Sequence, residues 1–244
     1  MVPPVSTAPA LSPATLLGGR DPEELPAKEL VGALVARFGD RVALACSFQK
    51  EEAVLLDMLL EASSSARAFA LDTEVLFPET YELWRAVEAR YGVVIERFHG
   101  PSLAEQEASH GPALWARDPD ACCGLRKMEP LGRALAGLDC WITGVRRDQS
   151  PTRAGAPKLG WDAAHGLFKA NPLADWTDQD VWAYVDERRL PVNPLHERGY
   201  ASIGCNPLSC TRPIQLGEDP RAGRWSGTDK LECGLHLESD GSGI

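Results

Sequence analysis

A chain of 244 residues with 25 Lys and Arg against 35 Asp and Glu has a net charge of −10, which argues against a general nucleic-acid binder. No apolar run approaches the roughly 20 residues that span a bilayer, so no membrane role is expected, and one core is feasible at this length. Residues 1–19 carry no charged side chain but hold four prolines; lacking a basic start and an unbroken apolar stretch, they read as a disordered leader of a cytoplasmic protein rather than a signal peptide.

Asp21-Pro22 reads as a cap and first-turn proline, and Leu30, Leu34 and Val35 then recur at helical spacing until Gly39. Arg41–Cys46 is a short buried strand and Glu51–Glu61 a helix carrying Val54, Leu55, Met58 and Leu59. Arg67–Leu71 is a second strand, followed by a helix that opens at Pro78 and ends near Gly92. Val93–Phe98 and Cys140–Thr143 are further strands, and Thr177 caps a helix to Arg188. This alternation predicts an α/β fold, a parallel twisted sheet flanked by helices. The expected organisation is a leader at 1–20, an α/β domain at 21–215 and a tail at 216–244.

In such sheets ligands bind beyond the carboxyl ends of the strands. Those ends carry Ser47-Phe48-Gln49-Lys50, Asp72-Thr73 and Thr143-Gly144-Val145-Arg146-Arg147. Ser47 leads into a helix whose amides can hold an anion or nucleotide, Asp72 can bond a ribose hydroxyl or a base, and Arg146 and Arg147 can pair with sulfate or phosphate oxygens. Between Cys122 and Arg153 six Lys and Arg face three Asp and Glu, a basic stretch on an acidic protein that suits a small anionic ligand. Taken one at a time, Ser47 reads equally as a helix cap, Asp72 as a turn residue and the Arg pair as surface. No Gly-x-Gly-x-x-Gly and no Walker-type Gly-Lys-Ser/Thr is present, which excludes the usual dinucleotide and P-loop fingerprints.

Seven cysteines, an odd number, point to thiol or metal chemistry rather than a disulfide framework. Cys46 and Cys140 sit in apolar strands and are assigned to the core. Cys122-Cys123 is a vicinal pair, and Cys205 and Cys210 bracket Asn-Pro-Leu-Ser. Four thiolates from two segments can hold zinc or an iron–sulfur cluster; adjacent cysteines serve one tetrahedral ion poorly, whereas a cluster offers each sulfur its own iron. Cys233, in Glu232-Cys233-Gly234-Leu235-His236, reads as a nucleophile on a tail, or blandly as a free thiol near a chain end.

These stretches together resemble the thioredoxin-dependent sulfonucleotide reductases of sulfate assimilation, and most closely the adenylyl-sulfate (APS) reductases. The resemblance rests on Ser47-Phe48, Leu71-Asp72-Thr73 with Phe77-Pro78-Glu79-Thr80-Tyr81, Cys122-Cys123 with Arg126-Lys127, and Thr143 through Ser150. It continues through Lys169-x-Asn171-Pro172-Leu173, Asn193-Pro194-Leu195-His196, Ser202-Ile203-Gly204-Cys205, Cys210-Thr211-Arg212-Pro213, Gly223-Arg224-Trp225 and the Cys233 pentapeptide, in family order from about residue 40 to residue 236.

The resemblance implies an adenine-nucleotide-binding, PP-loop-like fold with a mobile C-terminal tail. It implies that Cys233 attacks the sulfur of APS, that thioredoxin releases sulfite from the resulting S-sulfonate, and that His236 acts beside the nucleophile. By the same resemblance Ser47, Phe48, Asp72, Thr73, Lys127, Arg146, Arg147, Arg221 and Arg224 bind substrate, and Cys122, Cys123, Cys205 and Cys210 hold a [4Fe-4S] cluster. Arg221 and Arg224, three apart, are expected on one side of a helical turn.

The chain departs from the family pattern in five places. Two extra residues separate Cys205 from Cys210, Gln49 and Glu74 stand where glycines are usual, the tryptophan run is reduced to Trp225, and the tail is shorter. The alternatives are a reductase of 3′-phosphoadenylyl sulfate (PAPS), which generally lacks the paired cysteines, and a non-catalytic iron–sulfur redox protein of the same fold. The sequence fixes no oligomeric state and is open to a homo-oligomer.

Overall fold

The computed structural model describes residues 12–230 and 232–236. Part of the expected leader is ordered. Ser12 caps helix α1 (Pro13–Leu16), and Leu16 and Leu17 are buried in the core, because apolar surface of that size gains more from burial than a solvated leader retains. Residues 1–11 lie outside the described residues.

Asp21 caps the short 3-10 turn Pro22–Glu24, and α2 (Ala27–Phe38) then buries Leu30, Val31 and Leu34 along one face before stopping at Gly39. Strand β1 (Val42–Ala45) leads to α3 (Lys50–Ala62), and β2 (Arg67–Asp72) to α4 (Pro78–Tyr91). Pro78 stands in the first turn of α4, and left-handed Gly92 ends it, as the turn chemistry demands. Strand β3 (Glu96–His99) begins later than the apolar run suggests, since Val94 is turned to solvent.

The segment before β4 holds four helices absent from the sequence reading. They are α5 (Leu103–His110), α6 (Leu114–Arg117), α7 (Pro119–Cys123) and α8 (Glu129–Leu135), with a π-helical turn at Gly124–Met128. After β4 (Cys140–Ile142) comes an unforeseen antiparallel hairpin, β5 (Leu159–Asp162) and β6 (Leu167–Ala170). A capping box at Thr177 then starts α9 (Asp178–Arg188).

The sheet has the order β3-β2-β1-β4-β6-β5 and is parallel except for β5. In register, Ala43 lies opposite Arg67 on one side and Trp141 on the other. Alternate side chains serve two cores, as strand geometry requires. Val42, Leu44, Ala68, Ala70, Cys140 and Ile142 pack with α2, α3, α4 and α9, whereas Ala43, Phe69 and Trp141 pack with Leu131, Ala134 and Leu135 of α8. The chain runs outward from β1 to β3 and then returns to β4 on the opposite side of β1. That reversal opens a crevice at the carboxyl ends of β1 and β4, the place where such sheets take ligands. Among the described residues no helix is long and apolar enough to cross a membrane.

Candidate functional site

The crevice is a cavity whose walls come from the β1, β2 and β4 loops, the π turn, Ile203 and Gly204, and the tail. Ser47, Phe48, Thr73, Lys127, Arg221, Arg224, Cys233 and His236 all line it. Eight of the residues expected from the sequence are therefore gathered in one place.

The β1 loop turns sharply into α3 through Phe48, whose φ of 62° is costly for a bulky residue. Its ring stacks on Trp84 with centroids 4.9 Å apart and is only 4 % exposed, and that packing holds the turn. Ser47 Oγ donates to Glu52 Oε2 at 2.7 Å. Glu51 and Glu52, in the first turn of α3, are buried and line the same cavity. Burial, then the neighbouring Glu51, pushes the Glu52 carboxyl up to about 7. The α3 amides thus share their end of the cavity with two carboxyl groups. Gly144 is required here: a Cβ would stand 2.4 Å from Glu52 Oε1 and 2.7 Å from Glu51 Cβ.

Glu74 has a left-handed backbone, with φ of 57°. Its N–H donates to Asp72 Oδ1 at 2.7 Å, and its Oε2 accepts from the Leu103 N–H at 2.9 Å. Asp72 does not line the cavity. Fully buried, it accepts from the Tyr81 hydroxyl at 2.7 Å and pairs with Arg97 at 2.5 Å, so it stabilises the β2 loop that carries Thr73. Arg146 lies beside the cavity in an adjoining one, its guanidinium bonded to Glu51 and Asp178, each at 3.0 Å, and to Asp148. Arg147 faces away, donating to Glu23 Oε2 at 2.6 Å and to the Ala156 carbonyl at 2.9 Å. Of the sequence-derived set, Asp72, Arg146 and Arg147 are the side chains outside the cavity wall.

Other lining residues are cationic. Arg221 and Arg224 are the two ends of one turn rather than residues of a helix, the Arg224 N–H donating to the Arg221 carbonyl at 2.8 Å, and their guanidiniums stand 6.0 and 4.5 Å from the Trp225 ring centroid. Gly204 allows this, since a Cβ there would lie 2.3 Å from Arg224 Nη2. Lys127 comes from the π turn, a distortion often found at functional sites. Burial works against its charge, but Cys205 and Cys233 outweigh burial and hold its pKa above the ordinary lysine value. Cys233 is 8 % exposed. Burial opposes its thiolate, yet Lys127, a hydrogen bond from the Leu235 backbone and Arg224 together bring its pKa below the ordinary thiol value. His236 stacks on Trp141, and burial holds its pKa well below 6.5.

Behind Lys127 is a second, apolar cavity lined by Cys122, Cys123, Cys205 and Cys210, with Lys127, Arg224 and Trp225 on the wall shared with the first. Asp118 caps α7, which delivers Cys122 and Cys123. The longer Cys205–Cys210 loop folds into a turn in which the Pro207 carbonyl accepts from the Cys210 and Thr211 N–H groups at 2.7 and 3.1 Å. All four thiols are free and buried. Burial and the other three cysteines push Cys122 up to about 12; burial and Cys205 push Cys210 up to about 11. Cys122 and Cys210 are thus held as thiols, and positive iron would favour their deprotonation; by its chemistry, a set of four cysteines lining one cavity suits a cluster. Among the described residues no group of three or more Cys, His, Asp or Glu is placed so that it could hold a metal ion. Cys46 and Cys140 are buried core residues as expected, although Cys46 also touches the first cavity.

Three site residues were not foreseen. Arg153 entered only as the end of a basic stretch, Glu232 only as a neighbour of Cys233, and Trp141 only within the Cys140–Thr143 strand. Arg153 and Trp141 line the cavity, and Glu232 meets Arg153.

Residues 41–213 match the phosphoadenosine phosphosulfate reductase domain family. A phosphoadenosine 5′-phosphosulfate reductase from Gloeobacter violaceus is 49 % identical over 88 % of this chain and 90 % of its own length. An adenosine 5′-phosphosulfate reductase from Salinibacter ruber is 47 % identical over 83 % of this chain and 81 % of its own, and one from Streptomyces coelicolor 46 % identical over 89 % and 91 %. Among solved structures, the phosphoadenylyl-sulfate reductase of Candida auris in a phosphate complex is 30 % identical with a TM-score of 0.71, covering 82 % of this chain and 98 % of that one. Yeast FAD synthetase, 14 % identical with a TM-score of 0.56 over 84 % of this chain and 70 % of that one, shares the fold.

Proposed function

This chain belongs to the phosphoadenosine phosphosulfate reductase family, and we propose that it reduces adenylyl sulfate to sulfite and AMP in sulfate assimilation, with Cys233 as nucleophile and thioredoxin as reductant. The observation that carries the reading is the polarity of the cavity. Ser47, Phe48, Glu51 and Glu52 are one group of its lining residues, and Lys127 and Arg224 beside Cys233 are another. A nucleotide with an uncharged nucleoside and an anionic phosphosulfate fits that division: the Phe48 group takes the base and ribose, and the cations take the sulfate.

The Cys233 thiolate attacks the sulfate sulfur, the S–O bond to phosphate breaks, and AMP leaves with the bonding pair. Lys127 and Arg224 offset the charge that builds on the sulfonate oxygens, and Arg221 joins them. A thioredoxin thiolate then attacks Cys233 Sγ, and sulfite departs with the pair of the S–S bond. The second thioredoxin thiol resolves the mixed disulfide and restores the Cys233 thiolate, so thioredoxin supplies both electrons.

Cys122, Cys123, Cys205 and Cys210 would hold a [4Fe-4S] cluster. When bound, the cluster with its four thiolates would tune the charge around Lys127 rather than carry the electrons. The paired cysteines favour APS; PAPS is the second reading, supported by the name of the Gloeobacter relative. Sulfite release by the anaerobically purified protein, assayed with thioredoxin and either nucleotide, tests both. Turnover with APS and little with PAPS supports the first reading, the reverse supports the second, and no sulfite from either excludes both.

A further inference from the structure

We propose that Arg153 is a positioning residue: with Arg221 it clasps the carboxylate of Glu232 and thereby fixes the adjoining Cys233 in the cavity wall. The proposal rests on the reading of Cys233 as the nucleophile.

Arg153 Nε and Nη2 each lie 2.9 Å from a different oxygen of Glu232, a two-point fork on one carboxylate. Arg221 Nη2 reaches Oε2 at 2.9 Å as well. The pair is nearly sealed from solvent, Arg153 being 6 % and Glu232 7 % exposed. A forked guanidinium fixes direction as well as distance, which a point charge does not.

Arg153 is itself braced. Its Nη1 donates to Gln149 Oε1 at 2.6 Å, and Gln149 Nε2 donates to Glu51 Oε1 and to the Gly144 carbonyl, both at 3.2 Å. A continuous polar chain therefore runs from the first turn of α3 and the end of β4 to the residue beside the nucleophile. On the other side of Cys233, Gly234 turns the backbone at φ of 91° against Met128, and His236 lies on Trp141. Cys233 is held between two anchors, and the Glu232 clasp is the nearer.

Arg153 also lines the cavity, so the competing role is direct binding of the substrate anion. The two roles separate experimentally. Full-length, anaerobically purified Arg153→Ala, Arg153→Lys and Glu232→Gln proteins are labelled with iodoacetamide without nucleotide. The Cys233 rate is read by peptide mass spectrometry at the plateau of its pH profile, and AMP affinity is measured by calorimetry. Positioning predicts Cys233 labelling faster by on the order of 10- to 100-fold in Arg153→Ala and Glu232→Gln, the factor carried by a charge-assisted bond, with Arg153→Lys in between. It predicts AMP affinity within about twofold of wild type, and kcat lowered with KM nearly constant. Unchanged labelling in both Arg153→Ala and Glu232→Gln overturns the proposal, as does lost AMP affinity with labelling unaltered. The labelling needs no turnover, so a failure of the nucleophile reading would show separately, as an absence of sulfonate on Cys233.

Discussion

The imidazole of His236 stacks on the indole of Trp141 with ring centroids 6.0 Å apart and planes 15° from parallel, joining the end of the described tail to β4. Burial, then Lys169 and Arg153, hold the docked imidazole neutral, its pKa well below 6.5. An undocked tail takes up a proton below pH 6.5 that the docked tail refuses. Docking is therefore at full strength above that pH and weakens as pH falls through it, by up to about tenfold per unit. Hydrogen exchange of residues 232–236 measures this. Protection should drop below pH 6.5 in wild type and stay level in His236→Phe.

Glu52 gives a second, opposite pH dependence. Its folded pKa of about 7 lies above the ordinary 4.5, so the folded state holds a proton that the unfolded state has lost. Stability is full below pH 4.5 and is lost as pH rises through 7, a loss on the order of 3 kcal/mol at the usual 1.36 kcal/mol per unit. Glu52→Gln keeps the volume and an acceptor for Ser47. Urea midpoints should fall between pH 5 and pH 8 in wild type and hardly change in the variant.

The Cys233 thiolate is favoured by Lys127 and Arg224 against burial. Removing either cation should raise the pH midpoint of Cys233 alkylation. Each loss should also cost roughly 1.5–3 kcal/mol in kcat/KM, the worth of a charge-assisted bond. An alkylation profile that does not move in Lys127→Ala or Arg224→Ala would place the thiol outside their field.

Four buried cysteines around one cavity should yield brown protein with about four irons per chain when purified anaerobically. Cys210→Ser should lose iron and sulfite release together. Colourless protein with one zinc, or a Cys210→Ser variant that retains its iron, would overturn the assignment of the cluster.

Much of the fold was legible because its signals are local. Helix α4 is written by Pro78 and Gly92, α9 by Thr177, and the inner strands by apolar runs. The β5–β6 hairpin was not legible, since each strand has four residues and they contain Gly160, Asp162 and Lys169, a composition without a strand period. Lys169 is 4 % exposed and lies 5.4 Å from the Trp141 ring centroid, a burial set by the tertiary fold. Helix α8 was hidden by Pro130 and Gly132. At the site, Lys127, Arg224 and Cys233, picked out through the family resemblance, line the cavity, whereas Asp72 and Arg147 lie outside its wall, bonded to Tyr81 and to Glu23 and Ala156. Arg153 was missed because its partner Glu232 lies 79 residues away, a distance no local pattern spans.

The central claim is that Cys233 takes the sulfonate. Protein incubated anaerobically with adenylyl sulfate and no reductant, then digested and mapped by mass spectrometry, tests it most directly. The account predicts one sulfonate on Cys233, formed as one equivalent of AMP is released, and none in Cys233→Ser. A sulfonate on any other cysteine, or AMP release without an adduct on Cys233, would contradict it.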